Sequence, residues 1–332
     1  MGPQLRRLRL WPAGPATTRR AQRALRPVAG ATLVATYALL GLGSTVRVTA
    51  SGMGCTGWPL CDGRIGPIER FHPLLEQAHR YLAAAVTLAV VMVAVLAWRA
   101  RAGRRTLGPA LAAVLLVGVQ VVLGAVTVMT GNAPATVALH LVGALLLLAA
   151  VTVTAVVTAA PPDPGRPTTA TRAWPGALAG SALTATFVLL VSGSLVLDDG
   201  ASAACPSWPW CPPHAGVAVA LRIVALLHRA MAGVAVLLLV ALAVRTIARR
   251  RETAPGAVAL AGMLVALLPA QVAVGAASAL FGSPPAIQDL HLGLAAAIWV
   301  CVVALVAVSR PVGRRPPNPD SDHAVAVVTA TR

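Results

Sequence analysis

The chain contains no lysine, and only 10 of its 332 residues are Asp or Glu. Aromatic residues make up 4% of it and charged residues 11%. A sequence this poor in charge cannot cover a globular domain with the mixed polar surface that solubility requires. It has instead 57% apolar residues, the balance of a polytopic membrane protein. A helix needs about 20 apolar residues to cross a bilayer. Eight runs of that kind occur, at about 29–48, 76–98, 107–130, 135–158, 174–197, 218–244, 256–281 and 286–309. They are rich in Ala, Val, Leu and Gly, and small residues let membrane helices approach closely.

The net charge of +17 suggests nucleic acid until its placement is read. Seven arginines, from Arg6 to Arg26, precede the first run. Arg99, Arg101, Arg104 and Arg105 follow the second, and Arg166 and Arg172 lie between the fourth and fifth. Arg245, Arg249, Arg250 and Arg251 follow the sixth; Arg310, Arg314 and Arg315 follow the eighth. The opposite loops hold Arg47, Arg64 and Arg70. This positive-inside pattern predicts that both termini are cytoplasmic. The phosphates these arginines meet are then those of the lipid bilayer, and no nucleic acid is expected.

Of the five cysteines, four form a repeated motif. Cys55-Thr-Gly-Trp58-Pro59-Leu-Cys61 is followed by His79-Arg80, and Cys205-Pro-Ser-Trp208-Pro209-Trp210-Cys211 by His228-Arg229. The cysteines are offset by 150 positions and the histidines by 149. Gln120–His140 also aligns without gaps on Gln271–His291, with 9 of 21 positions identical. The chain is therefore a duplication. Each half has four spans, so the halves share one orientation, as parallel repeats do. The expected fold is an all-α integral membrane protein of eight transmembrane helices. They form two tandem four-helix bundles related by a pseudo-two-fold axis along the membrane normal.

The expected organisation is a cytoplasmic basic N-terminus (1–28) and an N-terminal four-helix half (29–160). A cytoplasmic linker (161–173), a C-terminal four-helix half (174–309) and a disordered cytoplasmic tail (310–332) follow. Both cysteine hairpins then fall outside, where disulfides persist. Cys55–Cys61 and Cys205–Cys211 read as loop staples. A redox-active role competes for the first pair. A zinc site would need two further ligands, with only His72 and His214 nearby. Cys301, inside the eighth run, reads as a small buried hydrophobe.

His79, His140, His228 and His291 all lie in runs that cross from outside to inside. Within each half the two histidines therefore sit at similar depth. Two imidazoles facing each other across a bundle are what a six-coordinate haem iron requires. Arg80 and Arg229 each follow a candidate ligand; they suit haem propionates, or they snorkel toward headgroups. Gln120 and Gln271 lie mid-span, and Gly124 and Gly275 read as close helix-packing positions. The halves differ at one telling place. Glu76 lies three residues before His79, and the same step back from His228 reaches Ala225. A carboxylate at the edge of a low-dielectric pocket can move protons. This asymmetry places chemistry in the N-terminal half and a supporting cofactor in the C-terminal half. Asp289 has Ala138 as its counterpart and points to a different face from His291.

Taken together, Val-Arg47-x-Thr-x-Ser-Gly, Cys55-x5-Cys61, Glu76-x-x-His79-Arg80, His140, Cys205-x5-Cys211, His228-Arg229 and His291 resemble the haem A synthase family. The resemblance covers about residues 29–309. It implies that His228 and His291 ligate a haem b cofactor and that His79 and His140 hold haem O as substrate. It implies Glu76 as the catalytic carboxylate and both cysteine pairs as disulfides. The implied reaction oxidises a methyl group of haem O to formyl, through two hydroxylations and loss of water, giving haem A for cytochrome oxidase. The implied setting is a bacterial plasma membrane. Haem O synthase and cytochrome oxidase assembly factors are the implied partners, together with an electron donor the sequence does not name. Two other readings use the same histidines: a dihaem cytochrome b that transfers electrons, and a haem transporter or chaperone.

Overall fold

The computed structural model describes residues 15–66, 68–159, 176–198, 200–201, 204–213, 218–250 and 254–309. The basic residues before position 15, the linker at 161–173, the tail at 310–332 and His214 lie outside the described residues.

The chain forms eight helices: α1 (Pro15–Val48), α2 (Phe71–Arg99), α3 (Arg104–Met129), α4 (Pro134–Ala159), α5 (Gly176–Asp198), α6 (Val219–Arg250), α7 (Pro255–Leu280) and α8 (Pro285–Ser309). All eight are long and apolar enough to cross a membrane. No strand occurs among the described residues. Prolines open α4, α7 and α8, where the missing N–H costs nothing and the fixed φ suits the first turn.

α1 and α2 start well before their apolar runs. α1 begins at Pro15, so Arg19, Arg20, Arg23 and Arg26 are helical; arginine is a good helix former and carries the helix beyond the apolar segment. α2 begins at Phe71, which places Glu76 and His79 in its second and third turns instead of at its start.

Inside each half the helices pair in the same ring. α1 packs on α2 and α4, and α3 on α2 and α4; α5 packs on α6 and α8, and α7 on α6 and α8. The halves meet through α4 on α8, α1 on α8, and α4 on α5. The largest apolar cluster lies here and in the C-terminal half, with Leu145 and Leu148 of α4 against Trp299, Val302 and Leu305 of α8. Trp299 Nε1 also donates to Leu145 O across this seam, at 2.9 Å. Outward, Leu88, Leu115, Val122 and Leu237 are exposed. In a membrane these side chains face lipid, so their exposure carries no cost.

The turns before α4 and α8 repeat as well. Gly131 and Asn132 have φ of 63° and 57°, and Gly282 and Ser283 have 71° and 55°. Asn132 N donates to Thr127 O and Ser283 N to Ser278 O, both at 2.7 Å. The left-handed pair reverses the chain within a few residues and delivers α4 and α8 in the same way.

Candidate functional site

The cysteine hairpins sit over α2 and α6. Cys55–Cys61 and Cys205–Cys211 are both joined as disulfides. Gly54 permits the first hairpin's close approach: a Cβ there would lie 2.6 Å from the backbone nitrogen of Pro73. Each hairpin is held by the arginine that follows the histidine. Arg80 donates from Nη1 to Gly57 O (2.6 Å) and Pro59 O (3.2 Å). Arg229 donates to Pro209 O, Trp210 O and Cys205 O at 3.0–3.1 Å. Arg222 adds a bond to Cys211 O at 3.1 Å. These arginines therefore tie the loops to the helices, and a guanidinium has donors left over for a carboxylate.

Glu76 lies beneath the first hairpin and is 4% exposed. Its Oε2 accepts from Cys55 N at 2.9 Å. Its Oε1 pairs with Arg80 Nη2. Ala225, in the matching place, packs instead against Cys205 and Cys211 in a small apolar cluster. One half thus presents a carboxylate under its disulfide and the other a methyl group. On the exposed side of the first hairpin, Asp62 Oδ1 accepts from Thr56 N (2.9 Å) and Thr56 Oγ1 (2.7 Å), and Arg70 pairs with Oδ2 (3.3 Å). The Thr56 hydrogen bonds, with Arg70 and Arg64 nearby, hold the Asp62 carboxyl below its ordinary range.

The four histidines are all on helices and form two pairs. His79 of α2 lies near His140 of α4, and His228 of α6 near His291 of α8. The Nδ1 atoms of His79, His140 and His291 are buried without hydrogen-bond partners. His228 Nδ1 bonds Ser192 Oγ at 2.8 Å. With Nδ1 turned inward, Nε2 is the nitrogen left for a ligand. No group of three metal-binding side chains occurs among the described residues, and His72 is bonded to Ser51 at 2.8 Å. Two paired imidazoles suit a haem iron, whose four other positions are filled by porphyrin, better than a tetrahedral zinc.

Glycines set the place of each imidazole. A Cβ at Gly43 of α1 would lie 3.0 Å from His79 Cε1, and one at Gly193 of α5 would lie 3.5 Å from His228 Cε1. Gly124 and Gly275 meet His140 and His291 in the same way, at 3.5 and 2.8 Å. Sequence reasoning identified Gly124 and Gly275 only as packing positions and missed Gly43, Gly193 and Ser192. Laying α1 on α5 at the 150-residue offset of the cysteines would have exposed the first two. Gln271 Nε2 lies 3.4 Å from His291 Nε2, whereas the Gln120 amide is turned against Gly143 and has no partner.

Asp289 faces the other half, on a different face from its neighbour His291. Ser44 Oγ and Thr45 Oγ1 of α1 donate to its two oxygens at 2.5 and 3.0 Å. Tyr37 donates to Gly293 O at 2.8 Å along the same seam. The segment whose Gly43 supports His79 is thereby bonded to the helix that carries His291.

Fold and site together define a duplicated eight-span membrane protein with a half-buried histidine pair beneath each of two disulfide hairpins. The chain belongs to the COX15-CtaA family of cytochrome oxidase assembly proteins, whose model matches residues 69–303. It is 32% identical over 317 residues to a haem A synthase of Symbiobacterium thermophilum, covering 88% of this chain and 97% of that protein. It is 28% identical over 255 residues to a haem A synthase of Geobacillus kaustophilus, covering 74% of this chain and 78% of that one. A further 113 residues' match, 38% identical, is to a protoheme IX farnesyltransferase of Halobacterium salinarum; it covers 34% of this chain and spans 25% of that protein's length.

Proposed function

We propose that this protein is a haem A synthase, an oxidoreductase that converts a methyl group of haem O to the formyl group of haem A. The observation that carries this reading is the asymmetry of a duplicated site: both halves keep a histidine pair, and only the first adds the buried Glu76. Relatives named haem A synthase along nearly the full chain support it.

His79 and His140 hold the substrate haem in the N-terminal half, and Glu76 moves protons beside it. Arg80 and the Cys55 N–H orient that carboxylate, and the hairpin above it excludes water. His228 and His291 hold haem b in the C-terminal half. When bound there, haem b supplies reversible one-electron chemistry. Arg80 and Arg229 stand where a propionate would approach, and their spare donors suit it. The two halves are related by a pseudo-two-fold axis along the membrane normal; the exchangeable α1–α8 and α4–α5 contacts support this. The arginine distribution supports cytoplasmic termini with the cysteine hairpins outside, and the haem A synthases of Symbiobacterium thermophilum and Geobacillus kaustophilus support a bacterial plasma membrane setting. The stretch shared with a farnesyltransferase supports a complex with haem O synthase, whose poorly soluble product would pass directly to this protein. The family match supports cytochrome oxidase assembly factors as further partners.

The test uses membranes from cells expressing variants. Glu76→Gln keeps an oxygen for the Cys55 N–H and removes the acid. It is expected to abolish haem A formation while the C-terminal haem b stays bound, and His79→Ala to do the same. Normal haem A formation in either variant would show that the N-terminal half is not where the chemistry occurs.

A further inference from the structure

The halves hold equivalent histidines in unequal surroundings. His228 Nδ1 lies 2.8 Å from Ser192 Oγ. The Ser192 hydroxyl has one proton, and it donates that proton to Leu189 O at 2.8 Å. Its oxygen must therefore accept from His228 Nδ1–H. This fixes the neutral tautomer that leaves the Nε2 lone pair for a metal. The Gly43–His79 and Gly193–His228 contacts correspond, so Leu42 stands where Ser192 does. Leu42 offers no hydroxyl, and His79 Nδ1 is buried without a partner. The difference is confined to the first histidines: the Nδ1 atoms of His140 and His291 are both buried without a partner.

We propose that Ser192 is a positioning residue that makes the C-terminal haem b a resident group, and that Leu42 in its place leaves the N-terminal haem exchangeable. The inference rests on the reading above, in which one haem is cofactor and the other substrate. A ring already held in the ligating tautomer loses less freedom on binding and is a stronger base, so its iron bond breaks more slowly. A cofactor has to stay through many turnovers, whereas a product has to leave. Partners of this kind are commonly worth about 10–100-fold in metal affinity.

The test uses the full-length protein in detergent, with apomyoglobin as haem acceptor and a redox titration of the bound haem b. Ser192→Ala is expected to release haem b about 10–100-fold faster than wild type and to shift its midpoint potential. Ser192→Thr, which keeps a hydroxyl, restores both. Leu42→Ser is expected to slow the transfer of haem O out of the N-terminal half by a similar factor. His228→Ala separates the two levels of the claim. If it retains haem b in full, the cofactor assignment fails, and this inference with it. If it loses haem b while Ser192→Ala matches wild type in release rate and potential, the inference alone is overturned. Equal losses in Ser192→Ala and Ser192→Thr would also overturn it, because they would mark a packing defect unrelated to the hydroxyl.

Discussion

At the residue scale the site depends on what is absent beside each imidazole. Gly275 leaves no room for a methyl group, since its Cβ would stand 2.8 Å from His291 Cε1. Gly193 leaves ordinary contact distance, 3.5 Å from His228 Cε1. Gly275→Ala is therefore expected to push the His291 ring aside, destabilise the protein by about 1–3 kcal/mol and lower its haem b content. Gly193→Ala should leave haem b content near wild type. Pyridine haemochrome spectra of the two purified variants check this; equal retention would contradict it. The histidines and Glu76 were legible in the sequence because duplication fixed their spacing. Ser192 was not, because its partner His228 lies 36 positions away and nothing local in α5 marks a serine as bonding to another helix.

At the element scale the first hairpin is a small folded unit, tied to α2 by Glu76 and Arg80 and closed on its outer side by Asp62. Asp62 has a depressed pKa, so its contribution is present at neutral pH. It is lost as pH falls below the unfolded carboxylate value of about 4 and through the lower folded value. Protection of the Thr56 amide, relative to intrinsic exchange at each pH, should fall over that acidic range in wild type, and Asp62→Asn should remove the dependence. The second hairpin has Arg229 as its main tie. Arg229→Ala is expected to expose Cys205–Cys211 to dithiothreitol, with thiol labelling several-fold faster than in wild type. Labelling at the wild-type rate would show that Arg222 and the packing on Ala225 suffice. Sequence reading located both loops and paired their cysteines. It read the arginines as partners of propionates or headgroups and did not foresee that they also tie the hairpins, because backbone carbonyls converging on one guanidinium cannot be read from side-chain identity.

At the scale of the whole molecule, two similar bundles are joined along a seam with few polar ties. Asp289 is one of them, and it joins the helix carrying His291 to the helix whose Gly43 supports His79. Hydrogen bonds between membrane helices average about 0.6 kcal/mol. Asp289→Ala, which removes two, is therefore expected to lower stability by about 1 kcal/mol and to lower the melting temperature of the detergent-purified protein by a few degrees. The eight spans were legible from hydropathy. The seam was not, because Ser44, Thr45 and Asp289 lie about 245 residues apart and repeat comparison shows Asp289 only as an unmatched acid.

The proposed function amounts to one duplicated scaffold that holds a substrate haem under Cys55–Cys61 and a working haem under Cys205–Cys211. Its most direct test is to incubate the purified protein with haem O, oxygen and a reductant and to follow the pigments by mass spectrometry. Conversion of haem O to haem A, with one equivalent of haem b persisting unchanged, is the expected result. Recovery of haem O unaltered, or of two equivalents of haem b with no haem O bound, would contradict it.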